Sequence, residues 1–388
     1  MKICRFQIST YLFFNKAMEH SMKISMVDLK TQYASIKDEI DSAVKEVIES
    51  TQFILGKKVS EFENACSEYL GVKHSIACAS GTDALQVAMM ALDIKPGDEI
   101  ITTPFTFVAT AETIAILGAV PVYVDIDEKT YNIDPAKIEA AITDKTKAII
   151  PVHLYGQSAD MNAILAIAKK HNLFVIEDAA QAFGTDYKGK KVGSLGDIAA
   201  TSYFPSKNLG ASGDAGMIFT QDEKLAQKIR MVALHGSKER YIHEILGINS
   251  RMDTLQAAIL LVKIKYIDQW NKARAKNAGL YCSKLKDADV VLPYIAEFST
   301  HIYHQFSLRV KDRQGLQNFL TSKDIPSAIH YPMPLHQQPA FKNISKADPL
   351  PVAELVSKEI ISLPMYPELT AMEIDYISDS ILEFVGKK

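Results

Sequence analysis

Apolar residues recur at helical spacing where the globular pattern of the chain begins. Ile36, Ile40 and Val47 fall on one face of a helix predicted over 36–49, and a second helix of this kind is predicted over 59–70. Beyond them, short β-rich runs alternate with helical segments: the predicted strands are 75–79, 99–102, 120–124, 148–152, 174–176 and 199–204, and the predicted helices are 83–92, 109–117, 135–141 and 161–171. This alternation predicts an α/β fold with a mainly parallel central sheet.

The pattern changes in the last third of the chain. A long helical stretch, 254–285, leads to an apolar strand at 302–310 and then to a helix and a proline-rich segment. We expect a large domain over 27–262, which includes the N-terminal helices, and a smaller C-terminal α+β domain over 263–388. Residues 1–26 precede the globular pattern and are expected to be a disordered leader or a misassigned start.

Composition and charge narrow the class of protein. The chain has 388 residues, of which 47% are hydrophobic and 23% charged, and its formal net charge is −3. This balance is typical of a folded globular protein and supplies no positive field for nucleic acid. No apolar run reaches the ~18 residues of a membrane-spanning helix, and the four cysteines show no paired or metal-binding spacing. We expect a cytoplasmic protein with no nucleic-acid partner, no membrane partner and no metal.

Residues that could bind a ligand or take part in a reaction follow two of the predicted strands. Gly81 and Thr82 stand between a strand and a helix, where backbone N–H groups can hold a phosphate, although a simple helix cap is the alternative interpretation. Asp178 follows a buried apolar strand, at the edge where ligands of parallel sheets gather. It can pair with a protonated ring nitrogen, or it can cap the next turn.

A lysine completes this pattern. Lys207 follows the apolar strand at 199–204 and precedes a glycine-rich loop at 210–216, a setting suited to a Schiff base because burial lowers the pKa of an ammonium group. Taken alone, Lys207 could be an ordinary solvated lysine and Phe107 a core aromatic. Taken together in this order, a phosphate cradle, an aromatic ring, an acid and a lysine are what pyridoxal 5′-phosphate needs.

From about residue 27 onward, the chain resembles the sugar aminotransferases of the DegT/DnrJ/EryC1/StrS family, which are pyridoxal-phosphate enzymes of aminotransferase fold type I. The likeness extends through 247–260 and 330–340. It implies that Lys207 binds the cofactor covalently and that Asp178 pairs with the nitrogen of its ring.

The resemblance also implies the remaining contacts with the cofactor. Gln181 is expected beside the phenolic oxygen, and Phe107 is expected to stack on the face of the ring. Gly81, Thr82 and Ser202 are expected to hold the phosphate.

Four further residues match family positions outside this set. Asn249 is expected to reach the phosphate of a neighbouring subunit, so the resemblance implies a homodimer with shared active sites. Arg251, His330 and Tyr331 are expected to contact a sugar nucleotide. A guanidinium group suits a carboxylate or a diphosphate, whereas an ion pair with Asp253 is the structural alternative for Arg251.

The implied reaction is transfer of an amino group from glutamate to a nucleotide-linked keto sugar. UDP-2-acetamido-2-deoxy-3-oxo-glucuronate is the expected acceptor, for bacterial surface-glycan biosynthesis, and a UDP- or dTDP-linked 4-keto-deoxysugar is the alternative. A sugar dehydratase of the same fold is disfavoured because it would replace the lysine with histidine. A nicotinamide oxidoreductase is disfavoured because the glycine spacing at 210–216 is not G-x-G-x-x-G, and a non-enzymatic regulator stays a remote alternative.

Overall fold

The computed structural model describes residues 24–386. The predicted leader, 1–26, lies outside this part of the chain except for its last three residues. Of these, Ile24 is buried in the apolar core of the C-terminal region, and the carbonyl of Met26 accepts a hydrogen bond from the N–H of Met365 at 3.3 Å. The folded structure therefore includes residues that the sequence pattern assigned to the leader.

Strands and helices alternate through most of the described chain. The strands are β1 (His74–Cys78), β2 (Glu99–Thr102), β3 (Val120–Tyr123), β4 (Thr146–Ile150), β5 (Phe174–Asp178), β6 (Asp186–Tyr187), β7 (Lys190–Lys191), β8 (Ile198–Ser202), β9 (Gly216–Thr220), β10 (Ser237–Glu239), β11 (Ile242–His243), β12 (Phe306–Arg309), β13 (Lys346–Ala347) and β14 (Ile360–Leu363). The α-helices are α1 (Leu29–Ser35), α2 (Lys37–Ser50), α3 (Lys57–Leu70), α4 (Gly81–Ala91), α5 (Ala109–Ile116), α6 (Pro135–Ile138), α7 (Met161–His171), α8 (Glu223–Ala233), α9 (Thr254–Lys263), α10 (Ile267–Leu285), α11 (Arg313–Ser322), α12 (Pro351–Glu359) and α13 (Ala371–Gly386).

One large sheet dominates the molecule. Its strands stand in the order β1-β9-β8-β5-β4-β2-β3-β13. Every neighbouring pair from β8 to β13 is parallel, and β9 alone runs opposite to its two neighbours, β1 and β8, among the described strands of this sheet. The predicted α/β fold with a mainly parallel sheet is confirmed.

Helices cover both faces of this sheet. Ile100 and Ile150 pack on one face with α4, α5 and α8, whereas the adjacent residues Ile101 and Ile149 pack on the other face with α7. Successive side chains of a strand point to opposite faces, so a strand buried on both sides reads as a continuous apolar run. This explains why the central strands were visible in the sequence without polar alternation.

The C-terminal region forms a smaller layer beside the sheet. The helical stretch predicted over 254–285 is two helices, α9 and α10, joined by a 3-10 turn at Ile264–Tyr266. The antiparallel pair β12 and β14 packs with α10, α11 and α13 around a separate apolar core. The predicted strand at 302–310 is shorter, because only Phe306–Arg309 pairs with β14. Between residues 24 and 386, the structure contains no helix with the length and apolar character needed to cross a membrane.

Candidate active site

The carboxyl ends of the parallel strands meet at one edge of the large sheet, where a cavity of about 470 Å³ opens. Loops and helix N-termini that follow the strands converge at this edge, which is where parallel α/β sheets hold their ligands. The walls also include two C-terminal segments, 304–305 and 330–331. Nine predicted site residues line the cavity: Gly81, Thr82, Phe107, Asp178, Gln181, Ser202, Lys207, His330 and Tyr331.

The N-terminus of α4 forms one wall of the cavity. Ser80 caps the helix, since its Oγ accepts a hydrogen bond from the N–H of Asp83 at 3.1 Å. The first N–H groups of a helix have no acceptor within it, so those of Gly81 and Thr82 can hold an anion. A Cβ on Gly81 would lie 2.5 Å from the Cβ of Ser202. Only glycine therefore allows this close approach of the helix start to the end of β8.

The carboxylate of Asp178, at the end of β5, is buried in the cavity wall. Its Oδ2 accepts a hydrogen bond from the hydroxyl of Thr110 at 2.8 Å, and its Oδ1 accepts one from the N–H of Ala180 at 3.2 Å. The Oγ1 atoms of Thr110 and Thr106 are 3.0 Å apart. Because Thr110 donates its proton to Asp178, it accepts from Thr106. These bonds fix a carboxylate that caps the turn after β5 and can also pair with a protonated ring nitrogen.

Glu177 precedes Asp178 and is buried on the opposite side of the strand. Its two carboxylate oxygens accept hydrogen bonds from three backbone N–H groups of the turn before β8, at 2.7–2.9 Å, and from Nε2 of His153 at 3.1 Å. Burial raises the pKa of Glu177, but the bonds to His153 and the backbone outweigh it and hold the pKa below its usual range. Glu177 is therefore a structural acid that holds the turn before β8.

Lys207 follows β8 and is half-buried in the cavity wall. Removal from water lowers the pKa of its ammonium group to about 8, although the charge of Asp178 acts in the opposite direction. The turn after Lys207 is held by the buried Lys263, whose Nζ donates a hydrogen bond to the carbonyl of Gly210 at 2.7 Å. Lys207 thus presents a partly desolvated amine, the state that a Schiff-base lysine requires.

Aromatic and amide groups surround the lysine. The side chain of Phe107 is 54% exposed, so it lines the cavity and does not belong to the core. Its ring lies 6.4 Å from that of Tyr331. The amide of Gln181 is oriented at both ends, because Oε1 accepts from the N–H of Tyr155 at 2.7 Å and Nε2 donates to Oη of Tyr331 at 3.2 Å.

His330 lies beside Tyr331 at the C-terminal wall. Its Nδ1 is 2.9 Å from Oγ of Ser362, and its carbonyl accepts a hydrogen bond from the hydroxyl of Tyr155. Burial lowers the pKa of His330 to about 4, and the positive charge of Lys207 acts in the same direction. The imidazole is therefore neutral at physiological pH.

Two predicted site residues lie outside this cavity. Asn249 is exposed and forms an isolated antiparallel bridge with Leu234. Arg251 is half-buried, and its guanidinium makes no hydrogen bond or ion pair with any residue in the range 24–386. The ion pair with Asp253, the structural alternative for Arg251, is accordingly not formed.

Other residues of the cavity were not predicted from the sequence. They are Ser80, Leu85, Thr106, Ala109, Thr110, Val152, Ala180, Phe204, Ser206, Asp214, His304 and Gln305. Thr106 and Thr110 stand on either side of Phe107, and their four-residue spacing at the start of a predicted helix was an available signal. His304 and Gln305 were hidden inside a predicted strand, and no local pattern marks them. The part of the chain that the structure describes holds no group of three or more His, Cys, Asp or Glu side chains positioned for a metal.

The side chains around the cavity fit pyridoxal 5′-phosphate. Helix N–H donors suit its phosphate, the exposed ring of Phe107 suits its ring face, Asp178 suits its ring nitrogen, and the amine of Lys207 suits its aldehyde. This fit rests on the types of donor and acceptor and on their convergence at one cavity.

Comparisons with known proteins agree with this fit. The model of the DegT/DnrJ/EryC1/StrS aminotransferase family matches residues 34–382. A pleiotropic regulatory protein of Geobacillus stearothermophilus is 51% identical over 94% of this chain and 99% of its own length. The UDP-2-acetamido-2-deoxy-3-oxo-D-glucuronate aminotransferase of Pseudomonas aeruginosa is 50% identical over 91% of this chain and 98% of its own.

A solved structure extends the likeness to the cofactor. NtdA from Bacillus subtilis, solved with bound cofactor PMP, matches with a TM-score of 0.86 at 33% identity, covering 95% of this chain and 86% of that one. The family model and the relatives span nearly all of the described residues. The chain therefore belongs to the DegT/DnrJ/EryC1/StrS aminotransferase family and is a pyridoxal-phosphate-dependent sugar aminotransferase.

Proposed function

We propose that this sugar aminotransferase takes the amino group of glutamate and transfers it to UDP-2-acetamido-2-deoxy-3-oxo-glucuronate. One observation carries the proposal: Lys207, Asp178 and the N-terminus of α4 converge on one cavity, in a chain 50% identical to an aminotransferase named for that keto sugar. The product is an amino sugar for a bacterial surface glycan such as an O-antigen, made in the cytoplasm.

In this reaction each residue of the cavity has a separate role. When bound, the cofactor supplies an electron-withdrawing ring that makes the α-proton of an amino acid acidic. Nζ of Lys207 would take that proton from the α-carbon and deliver it to the carbon that bears the cofactor's aldehyde group. Its pKa of about 8 keeps a usable fraction of free amine near neutral pH. Asp178, oriented by Thr110 and Ala180, places a negative charge at the ring nitrogen. Gly81 and Thr82 hold the phosphate through their N–H groups.

We propose further that the active form is a homodimer. Asn249 and Arg251 lie outside the cavity of their own chain, and Arg251 has no polar partner within residues 24–386. This placement supports a role for both side chains at the cavity of a second copy, where Arg251 would pair with the carboxylate or diphosphate of the substrate.

Mixed dimers test the shared site. Lys207→Ala and Arg251→Gln should each be inactive alone, because every site lacks one group. Co-refolded in equal amounts, they should recover about a quarter of wild-type activity, because half of the random dimers are mixed and each has one intact site. No recovery from verified mixed dimers would contradict the shared site.

The reaction itself is tested by absorbance in two halves. Glutamate should convert the loaded enzyme to the amino form of the cofactor, and the 3-keto sugar acid should restore the original band. Lys207→Ala is the control and should do neither. Restoration only by a 4-keto-deoxysugar would keep the aminotransferase and discard this substrate. Protein without a cofactor band that binds a promoter fragment at physiological salt would favour the regulatory function named for the Geobacillus relative.

A further inference from the structure

His304 is a buried residue of the cavity wall to which the reaction above gives no role. It lies just before β12, in the C-terminal region, and its exposed fraction is 6%. Its Nδ1 is 3.3 Å from Oδ1 of Asn208, the residue that follows Lys207. The two residues thus connect the C-terminal region to the turn that carries the lysine.

The contacts of Asn208 decide which nitrogen of His304 carries the proton. Nδ2 of Asn208 donates to Oδ1 of Asn271 at 2.7 Å and to the carbonyl of Ile302 at 3.2 Å. Nδ2 of Asn271 in turn donates to the carbonyl of Phe183 at 3.2 Å, so both amides have one consistent orientation. With both N–H groups of Asn208 used, its Oδ1 can only accept. Nδ1 of His304 must therefore donate, and its Nε2 carries a lone pair.

The free nitrogen belongs to a neutral ring. Burial lowers the pKa of His304 well below its usual range, and the positive charges of Lys207 and Arg274 act in the same direction. No residue within 24–386 makes a hydrogen bond to Nε2, although the side chain lines the cavity. Nε2 is thus an uncharged acceptor without a protein donor.

An uncharged acceptor suits one side of the expected substrate. The cavity near Lys207 is rich in donors: its amine, the hydroxyl of Tyr331, the amide of Gln181 and the N–H groups at the start of α4. These suit phosphate, carboxylate and keto oxygens, whereas the hydroxyl protons and the acetamido N–H of a sugar need an acceptor. The cavity wall also holds the carboxylates of Asp178 and Asp214, but a charged acceptor repels a diphosphate sugar, whereas a neutral imidazole does not.

We infer that His304, held by Asn208 with Nε2 unprotonated, accepts a hydrogen bond from a hydroxyl or acetamido N–H of the keto sugar and is a specificity residue for that substrate. The inference rests on the proposed function. It predicts that His304 matters when the sugar reacts and is dispensable when glutamate reacts.

Two substitutions separate hydrogen bonding from packing. His304→Gln places an amide oxygen near the position of Nε2 and keeps an acceptor there, whereas His304→Leu keeps bulk and removes the acceptor. With UDP-2-acetamido-2-deoxy-3-oxo-glucuronate, we expect His304→Leu to slow the sugar half-reaction about 10-fold or more and His304→Gln to restore most of the rate. The glutamate half-reaction, followed on the same samples, should stay within about 2-fold of wild type in both variants.

The outcomes are distinct. Equal losses in both half-reactions of His304→Leu would overturn the inference, because His304 would then serve the cofactor or the fold. Wild-type rates in His304→Leu would overturn it, and so would a His304→Gln variant as slow as His304→Leu. If wild-type enzyme accepts glutamate but not this sugar, the proposed substrate fails, and the inference fails with it whatever the variants do.

Discussion

Substitution of Gly81 by alanine tests how closely the phosphate-binding wall is packed. The new Cβ would lie 2.5 Å from Cβ of Ser202 and 3.1 Å from its Oγ, against an ordinary contact of at least 3.4 Å. The start of α4 or the end of β8 must therefore shift by about 0.9 Å. Overpacking of this kind costs about 1–3 kcal/mol of unfolding free energy. The shift also moves the N–H groups of residues 81 and 82 from the position that suits the phosphate.

Two measurements follow from Gly81→Ala. Urea unfolding of the cofactor-free protein should show the loss of stability at an unchanged slope. Titration with pyridoxal phosphate, followed by absorbance, should show a dissociation constant raised about 10-fold or more, which corresponds to about 1.4 kcal/mol.

A second substitution supplies the matched control. Ser202→Gly removes the Cβ that the new methyl group meets, so the double variant should regain most of the stability lost in Gly81→Ala, relative to Ser202→Gly alone. Wild-type stability and cofactor affinity in Gly81→Ala would refute the argument. So would a double-mutant cycle with no coupling, because the predicted collision lies between these two residues.

Three other substitutions test the electrostatics of the site. Thr110→Val removes the hydroxyl that donates to Asp178, and kcat should fall about 10-fold, since hydrogen bonds to charged groups contribute about 1.5–3 kcal/mol. Thr110→Ser keeps the hydroxyl, so its kcat should stay near wild type. Equal kcat values for the two variants would contradict the role given to this hydrogen bond. Lys207→Met should stabilise the cofactor-free protein at pH 7 by at most about 3 kcal/mol, reduced by the partial exposure of the side chain. The folded-state pKa of Lys207 lies below the unfolded value, so the wild type regains stability as pH rises from about 8 toward 10.5. The urea midpoints of the wild type and Lys207→Met should therefore converge over this range, and midpoints that stay apart would count against the reasoning. Glu177→Gln should lower the unfolding free energy by about 3 kcal/mol at pH 7, because it removes a buried charge that binds His153 and three backbone N–H groups. The pKa of Glu177 is lowered in the folded state, so this stabilisation is present above the unfolded-state pKa and is lost as pH falls through the folded-state pKa. A difference in stability that does not change with pH would contradict this reasoning.

Much of the fold and of the site could be predicted from local sequence patterns. Buried strands with apolar residues on both faces produce continuous runs, and helices produce the 3.6-residue pattern, so the alternating order of β1 to α7 could be predicted. Asp178 and Lys207 could be grouped because each comes at or after the end of a parallel strand, and the carboxyl ends of such strands meet at one edge of a sheet. Ser202 was assigned only by the resemblance to the family. Gly81 and Thr82 were visible because a strand-to-helix turn has its own sequence signature.

The sequence by itself therefore determined the α/β class, the order of most elements and the residues that follow each strand, because these depend on neighbours a few positions apart. Only the tertiary structure decided that β9 runs antiparallel between β1 and β8, and that His304 lines the cavity while its Nδ1 contacts Asn208. It also decided that Asn249 and Arg251 lie outside their own chain's cavity. These features depend on contacts between residues far apart in the chain, and such contacts are selected by how whole layers pack and leave no local periodicity to read.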